Sequence, residues 1–186
     1  MKKGILYFFT GLAGAGKTTL GGMFYEQLRK TSPDAILLDG DQIREKIGDS
    51  CPMTGTVLNE ERYTTAARKS GAWSLFAHCR DLTEQGRDVV CCSISMYSEI
   101  REWNRANIEN YREIYIKVTR ETLYRRDQKQ LYSSGTKNVV GVDLPWDEPE
   151  SPDVVVRNDG RETPEAIVNR LTEIFGLPAG GRSEAS

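Results

Sequence analysis

Residues 11–18, GLAGAGKT, satisfy the pattern G-x-x-x-x-G-K-[ST], and what flanks them restricts the fold more than any other feature of the chain. Residues 5–10, ILYFFT, are apolar up to Thr10, which predicts a strand covered on both faces, as parallel strands are. After the glycines, Leu20, Phe24 and Leu28 recur at helical spacing as far as about Arg29. Strand, glycine-rich turn and helix in that order make a phosphate cradle. Glycines let backbone N–H groups turn inward, and the helix N-terminus adds positive potential. Gly11, Gly14, Ala15, Gly16, Lys17, Thr18 and Thr19 are therefore expected to bind ATP, with Lys17 bridging its β and γ phosphates and Thr18 holding Mg2+ through its hydroxyl.

The rest of the chain repeats the alternation. Further strands are predicted at 35–38, in GRDVVCCS near 87–93, in REIYIKVT at 112–119 and at 154–156. Helices are predicted at 41–47, from a cap at Asn59 to about Gln85, at 97–107, at 120–126 and from Pro164 to about Phe175. Residues 50–58 read as a loop. The fold class is thus three-layer α/β, a P-loop kinase fold with a mostly parallel sheet of about five strands. One domain is expected over 1–176, with a lid at about 127–148 where the polar stretch lacks a periodic core face, and a flexible tail at 177–186.

Composition narrows the partners. Twenty-five basic and 27 acidic residues give a net charge of -2 with the basic residues scattered, so no nucleic-acid surface is expected. The basic start is followed by only about six apolar residues, too few for a signal peptide, and no run reaches membrane-spanning length. A cytoplasmic enzyme with a small-molecule substrate is the expectation. Cys51, Cys79, Cys91 and Cys92 show no CxxC spacing and read as buried free thiols; with His78 the one histidine, zinc is not expected. No NKxD-type guanine-reading signal follows the cradle, which favours ATP over GTP.

Where the second strand ends, LDGDQIR sets Asp39 and Asp41 on either side of Gly40. Ligands collect at the carboxyl ends of parallel strands. One carboxylate can accept a proton from an acceptor hydroxyl while the other manages metal-bound water, which makes Thr18, Asp39 and Asp41 the metal candidates and Asp39, Asp41 and Lys17 the catalytic ones. Asp39 is the narrowly preferred proton acceptor. Arg44, three residues beyond Asp41, could neutralise an anionic acceptor. A small-molecule kinase leads, with a nucleotide-controlled binding module as the second class.

GLAGAGKTT, LDGDQIR, Arg62 with Arg68, SIS at 93–95 followed by Arg101, RRDQKQLY from Arg125 and KNVVGVDLPWDEPESPDVVV from Lys137 together resemble the adenylylsulfate kinase family, from residue 5 to residue 175. The resemblance implies transfer of a phosphoryl group from ATP to the ribose 3'-hydroxyl of an activated nucleotide, releasing ADP. It further implies that Arg44 and Arg62 contact the acceptor, that Ser95 and Lys137 line its site, and that Arg125 or Arg126 lies beside the ATP base; Tyr97 and Arg101 are added as acceptor candidates, and a homodimer is the oligomer to test for. Departures fall in the acceptor half. The family's two aromatic clamp positions carry Val57 and Val139, an asparagine position carries Thr65, ISPFR becomes Ile94-Ser95-Met96-Tyr97-Ser98, and Gln130 replaces a lid glycine. These are similar to the branch of cytidine diphosphoramidate kinase, which acts in capsule-precursor synthesis. Trp73 and Phe76 read as packing residues. Tyr97, Trp103 and Arg105 are candidates for a pocket wall, Tyr132 for a lid contact, Trp146 for a cover or loop anchor, and Asn158 for a contact near adenine.

Overall fold

The computed structural model describes residues 2–40, 65–95, 97–127, 140–141 and 146–177. Five strands, β1 (Leu6–Thr10), β2 (Ile36–Asp39), β3 (Val89–Cys92), β4 (Tyr111–Lys117) and β5 (Val154–Arg157), form one sheet in the order β2-β3-β1-β4-β5. Every neighbouring pair is parallel. The described helices are α1 (Lys17–Leu28), α2 (Thr65–Glu84), α3 (Ser98–Asn107), α4 (Arg120–Arg126) and α5 (Pro164–Ile174). The expected helix at 41–47, the loop at 50–58, the Asn59 cap and most of the expected lid and tail lie outside the described residues.

The apolar run of β1 is buried throughout because helices cover both faces of the sheet. Side chains alternate along a strand, so Tyr7 and Phe9 enter a core with Leu20, Phe24, Ile167 and Leu171 of α1 and α5. Leu6 and Phe8 enter a second core with Phe76 and Cys79 of α2 and Ile100 of α3. The adjacent thiols divide the same way, Cys91 to the second core and Cys92 to the first. Cys79, Cys91 and Cys92 are free and buried, as expected; burial beside the Asp39 charge pushes the Cys92 thiol up to about 12. His78 is exposed on α2. Trp73 meets Trp103 edge to face with ring centroids 5.6 Å apart, so both act in packing α2 on α3.

Local chemistry sets the helix starts. Thr119 accepts a hydrogen bond from Thr122 N to begin α4, and Thr163 accepts one from Ala166 N to begin α5 with Pro164 in its first turn. The start of α3 lacks a cap from its own sequence. Asp147, on the segment returning from the expected lid, supplies it by accepting from Ser98 N at 3.1 Å.

Helix α1 lies so close to the sheet that a Cβ on Gly21 would stand 2.3 Å from Cys92 Sγ. Gly21→Ala is expected to cost about 1–3 kcal/mol by overpacking. Cys92→Ala in the same chain should recover part of it, read as a shift in the urea midpoint; strictly additive losses would show that the two sites do not share this contact.

Candidate active site

The glycine-rich turn leaves β1 and enters α1 with Gly11, Gly14 and Gly16 all at positive φ, 151°, 75° and 99°. Gly16 is required twice over: its backbone is left-handed, and a Cβ there would stand 2.6 Å from Asn158 Nδ2. That amide, just after β5, donates to the Ala15 carbonyl at 2.8 Å. Arg126 donates to the Gly14 carbonyl at 3.3 Å and to the Asn158 carbonyl at 2.6 Å. None of these three contacts consumes an N–H of the turn; the Ala15 N–H donates to the Leu12 carbonyl at 3.1 Å within it. Lys17 Nζ donates to the Leu12 carbonyl at 2.9 Å, which folds its ammonium over the turn. Thr18 and Thr19 are exposed on the first turn of α1, and Arg125 and Arg126 are exposed on the last turn of α4.

Asp39 ends β2, where it is paired in register with Cys92 and only 9% exposed. Its Oδ2 accepts from Thr18 Oγ1 at 2.7 Å. Two hard oxygen groups thus meet at the mouth of the cradle, as expected for a site that holds Mg2+ jointly with phosphates and water. Among the described residues no group of three or more His, Cys, Asp or Glu side chains could hold a metal by itself.

The loop after β3 passes alongside. Thr10 Oγ1 donates to the Ile94 carbonyl at 2.6 Å, and a Cβ on Gly40 would stand 2.9 Å from Ser93 Oγ. Ser95 is buried with φ at 40°, a left-handed backbone that costs a serine about 1–3 kcal/mol. Tyr97 is partly buried, with Lys69 Nζ 5.9 Å from its ring centroid and burial raising its phenol. Arg101 is buried: it donates to the Ser95 carbonyl at 3.0 Å, and its Nε lies 3.4 Å from Glu113 Oε1. Arg105 pairs with Glu113 at 2.9 Å and with Asp153 at 3.5 Å, which places it in the α3–β4–β5 framework. Trp146 anchors the returning segment against Tyr115, with ring centroids 5.8 Å apart. Asp41, Arg44, Arg62, Tyr132 and Lys137 lie outside the described residues.

A family model described as adenylylsulphate kinase matches residues 3–157. The chain belongs to the adenylylsulphate kinase family. It is 37% identical over 176 residues to a cytidine diphosphoramidate kinase of Campylobacter jejuni, covering 92% of this chain and 96% of that one. Its identity to an adenylyl-sulfate kinase of Picosynechococcus is 34% over 179 residues, with the same coverage of 92% and 96%. In structure it resembles a Mycobacterium tuberculosis APS kinase solved with AMPPNP and APS, at a TM-score of 0.79 and 21% identity over 95% of this chain and 99% of that chain, a likeness of fold. With the family comes its class of activity, ATP-dependent phosphotransfer to an activated nucleotide. Among the described residues no helix is long and apolar enough to cross a membrane.

Three contributions to this adenylylsulphate kinase-type site escape the sequence reading: the grip of Asn158 on the turn, the Asp147 cap and the role of Glu113. One had a signal. Glu113 is a carboxylate inside the strand YREIYIK, 2% exposed, and burial raises its pKa while Arg105 and Arg101 oppose the rise. Such a residue in an interior strand demands cationic partners. Asn158 reads in sequence only as a contact near adenine, and its grip on the turn, like the Asp147 cap, acts across a long sequence separation.

Asn158→Ala removes the turn's only described side-chain amide tie, to the Ala15 carbonyl, and frees space beside Gly16. The expected result is ATP-analogue affinity weaker by roughly fivefold to tenfold, about 1–1.4 kcal/mol, in a fluorescence titration. Unchanged affinity would mean that the turn keeps its shape without it.

Proposed function

We propose that this chain transfers the γ-phosphoryl group of ATP to the ribose 3'-hydroxyl of a nucleotide bearing a small group in anhydride or phosphoramidate linkage, with cytidine diphosphoramidate as the preferred acceptor. The observation that carries the kinase reading is the 2.7 Å bond between Thr18 and Asp39, which joins the phosphate cradle to the carboxyl end of β2. Preference for the cytidine acceptor is supported by the 37% identity to a cytidine diphosphoramidate kinase, and by aliphatic Val57 and Val139 where the resemblance expects an aromatic clamp. Adenylylsulfate is the second reading, favoured by the family model and by the 34% identity to an adenylyl-sulfate kinase.

In this reading the turn's N–H groups and Lys17 hold the β and γ phosphates, and the positive end of α1 offsets their charge. Thr18 and Asp39 would hold Mg2+, which when bound neutralises charge on the phosphate oxygens. Because Asp39 already engages Thr18, the metal side suits it, and proton acceptance from the acceptor hydroxyl passes to Asp41. Arg44, Arg62, Ser95 and Lys137 bind the acceptor, and the segment at about 127–148 closes to exclude water. A single domain, a cytoplasmic setting and a homodimer belong to the same proposal.

Steady-state assays with ATP and each acceptor test it. The expected kcat/KM for cytidine diphosphoramidate exceeds that for adenylylsulfate by about 100-fold, or about 2.7 kcal/mol in transition-state discrimination, with one phosphorylated acceptor per ADP. Lys17→Ala and Asp39→Asn should each lower kcat at least 100-fold. ATP turnover that does not respond to either acceptor would sink the kinase reading; a reversed preference would establish adenylylsulfate.

A further inference from the structure

The loop between β3 and α3 runs along the carboxyl edge of the sheet, next to Asp39 and Thr10. Ser95 in that loop has two features that its own sequence does not explain. Its backbone sits at φ 40°, which a serine keeps only where surroundings impose it. Its hydroxyl is also buried with no hydrogen-bond partner among the described residues. A buried hydroxyl in that state is suited to an oxygen or nitrogen atom from a ligand.

A chain of charges reaching into the sheet ends on the Ser95 carbonyl. Arg101 Nη1 donates to the Ser95 carbonyl at 3.0 Å, and Arg101 is only 5% exposed. Its Nε lies 3.4 Å from Glu113 Oε1, an ion pair on the interior of β4. The other Glu113 oxygen receives Arg105 at 2.9 Å, and the Glu113 N–H donates to Asp153 at 2.7 Å. The carboxylate that anchors Arg101 is therefore fixed by α3, β4 and the approach to β5 together. A guanidinium so enclosed makes its contacts with protein groups, and the hydroxyl it supports is the group left for a ligand.

We propose that Arg101 is a positioning residue which, clamped by Glu113, holds Ser95 in its left-handed conformation and so presents the Ser95 hydroxyl to the ribose or phosphate oxygens of the acceptor nucleotide. This rests on the kinase reading above and assigns Arg101 a place behind the acceptor site instead of within it. Its influence should appear in acceptor use and not in ATP-site affinity, because Asn158, Arg126 and Lys17 shape the nucleotide turn without it.

Arg101→Lys tests the clamp, since an ammonium keeps the charge beside Glu113 but cannot span it and the Ser95 carbonyl with one planar fork. With whichever of cytidine diphosphoramidate or adenylylsulfate the wild-type protein phosphorylates, kcat/KM for that acceptor should fall at least tenfold, while ADP affinity by calorimetry stays within twofold. In a Ser95→Gly background, where positive φ is unstrained and the hydroxyl is gone, Arg101→Lys should cost less than threefold. Glu113→Gln, which keeps the shape of the anchor, should show the same dependence on Ser95 and serves if Arg101→Lys does not fold. Equal losses in the serine and glycine backgrounds, or a matching loss of ADP affinity, would overturn the proposal. A wild-type protein that phosphorylates neither acceptor would fail at the earlier step, and the positioning role would fall with the kinase reading.

Discussion

Thr18 and Asp39 meet at 2.7 Å although 21 positions separate them in the chain, and the sheet is what brings them together. Thr18 follows β1 and Asp39 ends β2, with β3 between those strands and parallel to both. Parallel pairing sends all the carboxyl ends to one edge, so the cradle, the Asp39 carboxylate and the loop after β3 converge there. One hydrogen bond contributes only about 0.5–1.5 kcal/mol, too little to dictate such an arrangement. The two apolar cores that sandwich the sheet hold the strands in place, and the bond reports their register.

Around that edge the chain uses polar groups where apolar ones would pack more cheaply. Glu113 faces into the interior with Arg101 and Arg105. Buried ion pairs often contribute little net stability against apolar replacements, because desolvation offsets their attraction. What the cluster does offer is direction. A guanidinium fork fixes the carbonyl it binds in both distance and plane, which an aliphatic contact cannot do. The same logic applies where Asn158 and Arg126 grip the carbonyls of the phosphate turn.

The strands and helices were legible because the strands are short apolar runs bounded by turn residues and the helices carry apolar residues at helical spacing. The run at 5–10 and the spacing of Leu20, Phe24 and Leu28 led to β1 and α1 with shifts of one residue at the ends. The cradle was legible because its pattern is contiguous. Sheet order was not read, since nothing local in VVCC says that it lies between β1 and β2. Arg101 is expected from sequence at the acceptor; its contacts to the Ser95 carbonyl and Glu113 could not be read there. Trp103 and Arg105 read as a pocket wall, and the partners that engage them, Trp73, Glu113 and Asp153, could not be read from sequence. Such outcomes depend on partners more distant in the chain than any periodicity can show.

The two halves of the site are built from different material, and this bears on how one scaffold serves more than one acceptor. The nucleotide half depends on backbone: three glycines at positive φ, a helix N-terminus and carbonyls gripped from β5 and α4. Few substitutions would leave such a turn intact. In the proposed reading the acceptor half depends on side chains such as Ser95, Arg44 and Lys137, and a change of one side chain alters shape or charge there. The chain's similarity to relatives named for two different acceptors, at 37% and 34% identity, is compatible with that division of labour. Selectivity can then drift one side chain at a time, because the sheet that aligns phosphate and hydroxyl is not asked to change.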